Sequence, residues 1–306
     1  MKLFFTLAIF FLTQAVAIGQ AKNRYTSFDE ASKEPEKVKW LDLVCADIPG
    51  MTEKIDKLPN LQSLYITGCD LERLPQGIEN IRTLELLNLQ NNKLTSLPKT
   101  LTVLDKLTVV NLRNNEFQEL PEVLTNLPRL REIDVSDNKQ LNLKKTLSSL
   151  SKVRKLDFLY LSGLNLITIP SEIKKLTLLE ELHLSNNPNL NLENAFTVLS
   201  QVANLKILVL SDNEIAELPD KIKLMKQLNG LVLDNNSAIK IDTLIENISR
   251  LPNLKVILLR KNGLTNLPKN IGALKQLAVL ELSGNNFSES EQTRIKSLLP
   301  DTNVVF

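Results

Sequence analysis

A repeated spacing of leucines runs through most of this chain and limits the folds that it can adopt. The pattern Leu-x-x-Leu-x-Leu-x-x-Asn-x-Leu, in which x is any residue, recurs with small variations, and a degraded copy starts at Val38. The other starts lie 23 or 26 residues apart, at Leu61, Leu84, Leu107, Leu130, Leu156, Leu179, Leu205, Leu228, Leu254 and Leu277. A sustained period of this length indicates a protein built from stacked structural repeats.

Each copy predicts a short strand followed by a turn. In the copy that starts at Leu84, the alternation places Leu87 and Leu89 on one face of a strand. Asn92 follows at the turn, where its side-chain amide can bond with backbone groups of the neighbouring copies. Because one copy cannot bury its own leucines, the copies must stack against one another. We therefore expect one parallel strand from each copy and a row of buried asparagines.

These copies resemble leucine-rich repeats, and the resemblance covers residues 38–287. A Leu-Pro pair after the turn, as at Leu97-Pro98 and Leu218-Pro219, resembles a subtype shared by exported bacterial proteins, plant Ras-group proteins and animal Ras-pathway scaffolds. The resemblance implies an α/β fold, a right-handed leucine-rich-repeat solenoid or horseshoe. It would carry about 11 parallel strands on its concave face and 3-10 or short helices on its convex face.

The 26-residue copies lack the Leu-Pro pair and have apolar residues at helical spacing. We predict α-helices in these copies near residues 146–150, 193–202 and 242–248. In the 23-residue copies the same side of the coil is expected to hold tighter turns or short 3-10 helices.

The first 19 residues have the composition of a secretory signal peptide. Lys2 precedes an apolar run, and small residues allow cleavage after Ala17 or after Gly19. The run is at the lower limit of the roughly 17–25 residues that a membrane-spanning helix needs, so an uncleaved anchor is the alternative. We expect an exported protein, either secreted, periplasmic or at the cell surface.

Both ends of the repeat array carry sequences that predict caps. Ser27 with Glu30 and Ser288 with Glu291 have the spacing of a helix capping box. Residues 303–306 are expected to add an extended segment to the last coil. The predicted organisation is a signal peptide at 1–19, an N-terminal cap at 20–37, repeats at 38–287 and a C-terminal cap at 288–306.

The strand positions that alternate with the core leucines are expected to point outward on the concave face. Many of them are apolar or aromatic, and contiguous exposed apolar surface marks interaction sites. The alternative is that β-branched residues simply favour strands. We predict that this face binds a partner through Ile207, Val209, Val232, Val256, Leu258, Val279, Phe158, Tyr160, Trp40 and Tyr65.

Polar residues interrupt the same face near its middle. Glu132, Asp134, Glu181 and His183 occupy outward positions on nearby strands. A divalent metal site is one interpretation, but a single His and carboxylates on a flat sheet lack a closed cage. The favoured interpretation is a solvated polar surface, since catalysis would need a pocket and a perturbed pKa.

Composition narrows the possible functions. The chain has 37 Lys and Arg against 35 Asp and Glu, so it has no basic footprint for nucleic acid. It has one His and two Cys, and we expect no catalytic residue, cofactor or metal. We predict a non-enzymatic exported scaffold or recognition protein for a protein or other macromolecule, with membrane contact only through an uncleaved signal segment. The alternative, from resemblance alone, is an intracellular signalling scaffold of the Ras-pathway or plant-immune type.

The two cysteines lie on adjacent copies, 24 residues apart. Cys69 takes the position that asparagine occupies in most copies and is expected to point inward. Cys45 lies one position earlier in its copy and is expected to point outward. Export permits a disulfide. The opposed directions argue against one, so the sequence leaves the pairing open and favours two separate thiols.

Overall fold

The computed structural model describes residues 24–306, so the predicted signal peptide at 1–19 lies outside the described residues. The described chain forms two compact units. The first contains residues 24–115 with Pro121–Leu130, and the second contains Glu116–Leu120 with Arg131–Phe306. No helix within residues 24–306 has the length and apolar character needed to cross a bilayer.

The first unit contains five short parallel strands, each paired in register with the next along the chain. They are β1 (Arg24–Tyr25), β2 (Trp40–Asp42), β3 (Ser63–Tyr65), β4 (Leu86–Asn88) and β5 (Val109–Asn111). The connections include two single-turn α-helices, α1 (Phe28–Ala31) and α2 (Met51–Lys54). Its 3-10 helices are Pro35–Lys37, Cys45–Gly50, Ile55–Lys57, Ile78–Asn80, Lys99–Val103 and Glu122–Asn126.

The second unit contains eight parallel strands, again paired in chain order. They are β6 (Glu132–Asp134), β7 (Phe158–Tyr160), β8 (Glu181–His183), β9 (Ile207–Val209), β10 (Gly230–Val232), β11 (Val256–Leu258), β12 (Val279–Glu281) and β13 (Asn303–Val305). Its longer helices are α3 (Leu143–Leu150), α4 (Leu192–Leu199), α5 (Ile241–Ile248) and α6 (Glu289–Leu298). Its 3-10 helices are Ser171–Lys175, Asp220–Leu224 and Lys269–Leu274.

The α/β fold with short parallel strands and short helices confirms the predicted fold class. The described residues hold two strands more than the roughly 11 that the repeats predict. One of them, β13, is the extended segment expected at residues 303–306. The other, β1, precedes the first repeat and has no repeat pattern to reveal it.

The type of helix on the side opposite each strand depends on the length of the copy, as predicted. The three 26-residue copies form the eight-residue α-helices α3, α4 and α5. The 23-residue copies form 3-10 helices of three to six residues, and five of these directly follow a proline at the helix N-cap. Proline fixes its own φ and has no N–H, so it suits the start of a tight turn.

The buried asparagines link consecutive coils, as the repeat pattern predicts. Asn92 Nδ2 donates to the backbone oxygen of Ile66 at 2.8 Å, and its Oδ1 accepts from the backbone N–H of Cys69 at 3.0 Å. Asn187 and Asn236 repeat this arrangement in the second unit. Each amide therefore satisfies backbone groups that the stacked core would otherwise bury without partners.

Serine caps begin the predicted terminal helices. The Ser27 side chain accepts from the backbone N–H of Glu30 at the start of α1, and Ser288 does the same for Glu291 at the start of α6. The first helix ends at Ala31. Both predicted capping positions are confirmed at these helices.

Cys45 and Cys69 form a disulfide, so the expectation of two separate thiols is wrong. Their Cα atoms lie 5.2 Å apart, within the usual range for a disulfide. The sequence argument carried strand alternation as far as Cys45, but β2 ends at Asp42 and Cys45 begins a 3-10 helix. Because the backbone has already turned there, the Cys45 side chain reaches Cys69 on the next coil.

Candidate functional site

The three-residue strands of the second unit divide their side chains between two faces. The central residues Leu208, Leu231 and Ile257 are fully buried in the core. Their neighbours on each strand alternate to the opposite face, which we call the outward face of β6–β12. Parallel pairing in register aligns these outward residues across the strands.

Apolar side chains form a continuous row on β9 to β12. Ile207 is in register with Gly230 and Val256, and Val209 is in register with Val232 and Leu258. Val279 continues the row on β12. We call this set the apolar ladder: Ile207, Val209, Val232, Val256, Leu258 and Val279.

Most of the apolar ladder is buried, which corrects the expectation that these side chains are exposed. Val209 and Val256 are each 3% exposed, and Ile207, Val232 and Leu258 do not exceed 9%. Neighbouring strands lie about 4.8 Å apart, so branched side chains in register pack against one another. Ile207 also lies over Gly230, since its Cγ1 is 3.4 Å from the position that a Cβ on this glycine would occupy.

Polar and aromatic side chains occupy the outward face of β6 to β8. Asp134, Tyr160 and His183 are in register across the three strands. The Tyr160 and His183 rings stack with their centroids 4.0 Å apart. His183 Nε2 lies 2.7 Å from Glu181 Oε1, and both of these side chains are buried. We call the set Glu132, Asp134, Tyr160, Glu181 and His183 the polar cluster.

Burial and repulsion by neighbouring carboxylates raise the pKa values of Glu132 and Tyr160 in this cluster. Burial raises the pKa of Glu132 above its ordinary value, and the carboxylates of Glu181 and Asp134 act in the same direction. The hydrogen bond with Tyr160 opposes this rise. Burial, with the charge of Glu132, also raises the pKa of Tyr160, so its phenol stays protonated and donates a hydrogen bond.

Side chains of the polar cluster contact one another. His183 is held by Glu181 and covered by Tyr160. Across residues 24–306, His, Cys, Asp and Glu side chains form no group of three or more suited to a metal ion. The geometry therefore gives no support to the metal interpretation of Glu132, Asp134, Glu181 and His183.

The first unit holds two of the three remaining predicted contact residues. The rings of Trp40 and Tyr65 stack with centroids 4.7 Å apart and planes 4° apart. The Arg24 guanidinium lies 5.2 Å from the Trp40 ring centroid, and its Nη2 donates to Asp42 Oδ2 at 2.6 Å. Sequence reasoning missed Arg24, because β1 lies outside the repeats. Phe158, the last of the predicted residues, is 9% exposed beside the polar cluster on β7.

Comparison with known proteins agrees with this architecture. A family model described as a leucine-rich repeat region matches residues 38–160. An internalin of Listeria monocytogenes has 21% sequence identity and a TM-score of 0.52, over 83% of this chain and 76% of its own. A leucine-rich repeat protein of Leptospira interrogans has 24% identity and a TM-score of 0.37, over 92% of this chain and 99% of its own. No curated protein matches the sequence.

The family match over residues 38–160, together with the repeat spacing and the asparagine ladder, shows that the chain contains a leucine-rich repeat region. Its fold is that of a module used for protein interaction, and such scaffolds are typically non-enzymatic.

Proposed function

We propose that this chain is an exported, non-enzymatic recognition protein that binds a protein partner on the outward face of β6–β12. The observation that carries the proposal is the juxtaposition of the polar cluster and the apolar ladder on seven consecutive strands in register. Together they give one surface an apolar area and polar groups that can orient a partner. Protein interfaces usually combine these two features.

The accessible parts of this face surround the buried ladder. Tyr160, Glu132 and Asp134 are partly exposed at one end, and Val279 and Glu281 are partly exposed at the other. Tyrosine supplies large contact area with few rotatable bonds and is common at binding hot spots. A partner that spans both ends would cover the ladder between them.

Export is supported by two independent features of the chain. The first 19 residues have signal-peptide composition, and Cys45 and Cys69 are disulfide-bonded. Disulfides persist in oxidising compartments and are rare in the cytosol. The alternative of an intracellular signalling scaffold is therefore less well supported. Cell fractionation with thiol alkylation tests this, because export predicts an extracytoplasmic protein whose two cysteines resist alkylation until reduced.

A non-enzymatic role is supported by the burial of the side chain best suited to general acid–base chemistry, since a substrate has little access to it. The sole histidine, His183, is bonded to Glu181 in a buried contact. We propose that binding requires no cofactor or metal. Trp40 and Tyr65 on the first unit are the second candidate contact, since their parallel stack offers an aromatic surface.

The proposal is tested with a partner captured from the native extracellular fraction and then purified. The affinity of this partner is measured for the wild-type chain and for two double variants. Tyr160→Ala with Val279→Ser removes two partly exposed side chains from the face and is expected to weaken binding at least about tenfold. Leu178→Ala with Leu224→Ala removes two side chains that are 50% and 45% exposed elsewhere, and should leave binding unchanged. Equal losses in both double variants, or a loss in the second alone, would contradict the proposal. Trp40→Ala then tests the second candidate contact.

A further inference from the structure

Strand β1 holds an arginine against the only tryptophan of the chain. Arg24 and Trp40 are partners in the parallel pairing of β1 with β2. The guanidinium carbon of Arg24 lies 5.2 Å from the centroid of the Trp40 ring, and its Nη2 donates to Asp42 Oδ2 at 2.6 Å. An aromatic face beside a carboxylate attracts a cation. Here the chain fills such a site with its own side chain.

The contacts that hold β1 in place are few and mostly exposed. The strand has two residues, Arg24 and Tyr25, and among the described strands it pairs only with β2. The side chains of Arg24 and Asp42 are 43% and 30% exposed, so solvent weakens their ion pair. Tyr25 interacts with the exposed carboxylate of Glu34. A strand held in this way can exchange with another segment more easily than a strand inside the repeats.

The helix that follows β1 is anchored separately. Phe28 of α1 is 2% exposed, and its backbone N–H donates to Asp47 Oδ2 at 3.1 Å. Thr26 belongs to this anchored part, because its backbone N–H donates to Glu30 Oε2 at 3.2 Å. The chain can therefore leave the sheet at Tyr25 while α1 stays in place.

The docked position of β1 leaves one polar group without a partner. The indole Nε1 of Trp40 is buried and has no hydrogen-bond partner among residues 24–306. Strands β1 and β3 flank β2, and the Tyr65 ring on β3 stacks on Trp40. A buried donor without an acceptor destabilises the state that buries it. Release of β1 opens one side of Trp40, where water or a ligand can supply the acceptor.

We propose that β1 is a displaceable strap over a binding site for an extended, arginine-bearing segment of another protein. The segment replaces β1 as a parallel strand on β2 and places its guanidinium against Trp40 and Asp42. Backbone pairing supplies affinity, and the planar cation supplies specificity. The chemistry of the ligand is inferred from Arg24, which already fits the site. The inference goes beyond the proposed function, whose binding face belongs to the second unit.

Blocked peptides and the fluorescence of Trp40 test the proposal on the purified full chain. The Arg peptide is Asn-Arg-Tyr-Thr, the sequence of residues 23–26, and a second peptide has the neutral isostere citrulline in place of arginine. Arg24→Ala empties the site and is expected to bind the Arg peptide at least about tenfold more tightly than the wild type, in which the tethered β1 competes. The same variant should prefer the Arg peptide to the citrulline peptide at least about tenfold.

Matched variants locate the contact. Arg73→Ala removes an exposed arginine elsewhere in the first unit and should bind the Arg peptide no better than the wild type. Arg24→Lys keeps a cation for Asp42 but loses the planar group, so its affinity should fall between those of the wild type and Arg24→Ala. Asp42→Asn added to Arg24→Ala should abolish the preference for Arg over citrulline. Circular dichroism and thermal melts establish that each variant is folded, and Arg24→Lys carries the comparison if Arg24→Ala is not.

Three results would overturn the proposal. The first is equal binding of the Arg peptide by the wild type and Arg24→Ala, and the second is equal binding of the Arg and citrulline peptides by Arg24→Ala. The third is no response of Trp40 to the Arg peptide at millimolar concentration. Sedimentation tests the other possible occupant, a second copy of this chain. A wild-type dimer that forms with rising concentration and is lost in Arg24→Ala would assign the site to that copy and contradict binding of another protein.

Discussion

Asn236 Nδ2 donates a hydrogen bond of 3.1 Å to the backbone oxygen of Leu210, which lies 26 residues earlier on the preceding coil. The same side chain accepts from the backbone N–H groups of Asn213 and Ile215 at 3.1 and 3.0 Å. Asn236 is fully buried. It also donates to the backbone oxygens of Leu233 and Asp234 on its own coil. One amide therefore satisfies two donors and an acceptor of the preceding coil and two acceptors of its own, and leucines alone cannot do this.

Asn236→Ala is expected to lower the free energy of unfolding by at least about 2 kcal/mol, because it leaves several buried backbone groups without partners. Urea denaturation monitored by circular dichroism measures the loss. Asn286→Ala, at an exposed position of the second unit, provides the control and should change stability by less than about 0.5 kcal/mol. Similar effects of the two substitutions would contradict the structural role of the asparagine ladder.

Two leucines only six residues apart in the sequence, Leu178 and Leu184, test the assignment of core and surface. Leu184 is fully buried, whereas Leu178 is 50% exposed. Leu184→Ala is expected to cost about 2–5 kcal/mol, from lost burial and the cavity left behind. Leu178→Ala should cost less than about 0.5 kcal/mol. The same denaturation measurement compares them, and a larger effect at Leu178 would show that the repeat register is misread.

The regular parts of the fold were predictable because they follow the period of the sequence. The 26-residue spacing predicts α3, α4 and α5, and the Leu-Pro pair predicts the 3-10 helices of the shorter copies. The asparagine ladder follows from the same register. These features depend on local pattern and on stacking between neighbours, both of which the sequence displays directly.

The features that escaped prediction depend on how the chain departs from that period. Strand β1 precedes the repeats, and the turn at Cys45 breaks the alternation from which its direction was inferred. The outward position of Ile207 was predicted from alternation, but its low exposure depends on packing over Gly230 and its neighbours. The contact between His183 and Glu181 depends on rotamers that spacing alone does not specify.

The Cys45–Cys69 disulfide is expected to stabilise the first unit. It closes a loop with a sequence separation of 24 residues, and loops of this size correspond to about 3 kcal/mol of stabilisation in the chain-entropy view. Cys45→Ser with Cys69→Ser should therefore lower the melting temperature. Mass spectrometry of the alkylated, unreduced protein provides the covalent check. Two alkylated thiols in wild-type protein isolated without reductant would contradict the assignment.

Glu132 is expected to make stability depend on pH in a defined direction. Burial raises its pKa above 4.5, so the folded protein holds this proton at a pH where the unfolded chain has released it. The contribution of Glu132 to the free energy of unfolding therefore falls as pH rises from about 4.5 through the raised pKa. Glu132→Gln keeps an acceptor for Tyr160 and removes the charge.

At neutral pH, Glu132→Gln is expected to unfold at a higher urea concentration than the wild type. The difference should disappear below pH 4.5, where the glutamate is protonated in both states. Glu246→Gln is the control for the loss of one exposed surface carboxylate. Destabilisation by Glu132→Gln at neutral pH would reverse the sign and contradict the burial of this carboxylate.

Site-specific photo-crosslinking tests the central claim, that the outward face of β6–β12 binds the partner, most directly. A benzophenone side chain placed at Tyr160 lies on this face, and the same group at Leu224, which is 45% exposed on the 3-10 helix Asp220–Leu224, lies on the helical side. The account predicts that the partner is crosslinked from position 160 and not from position 224. Crosslinking from position 224 with none from position 160 would place the partner on the helical side and contradict the claim.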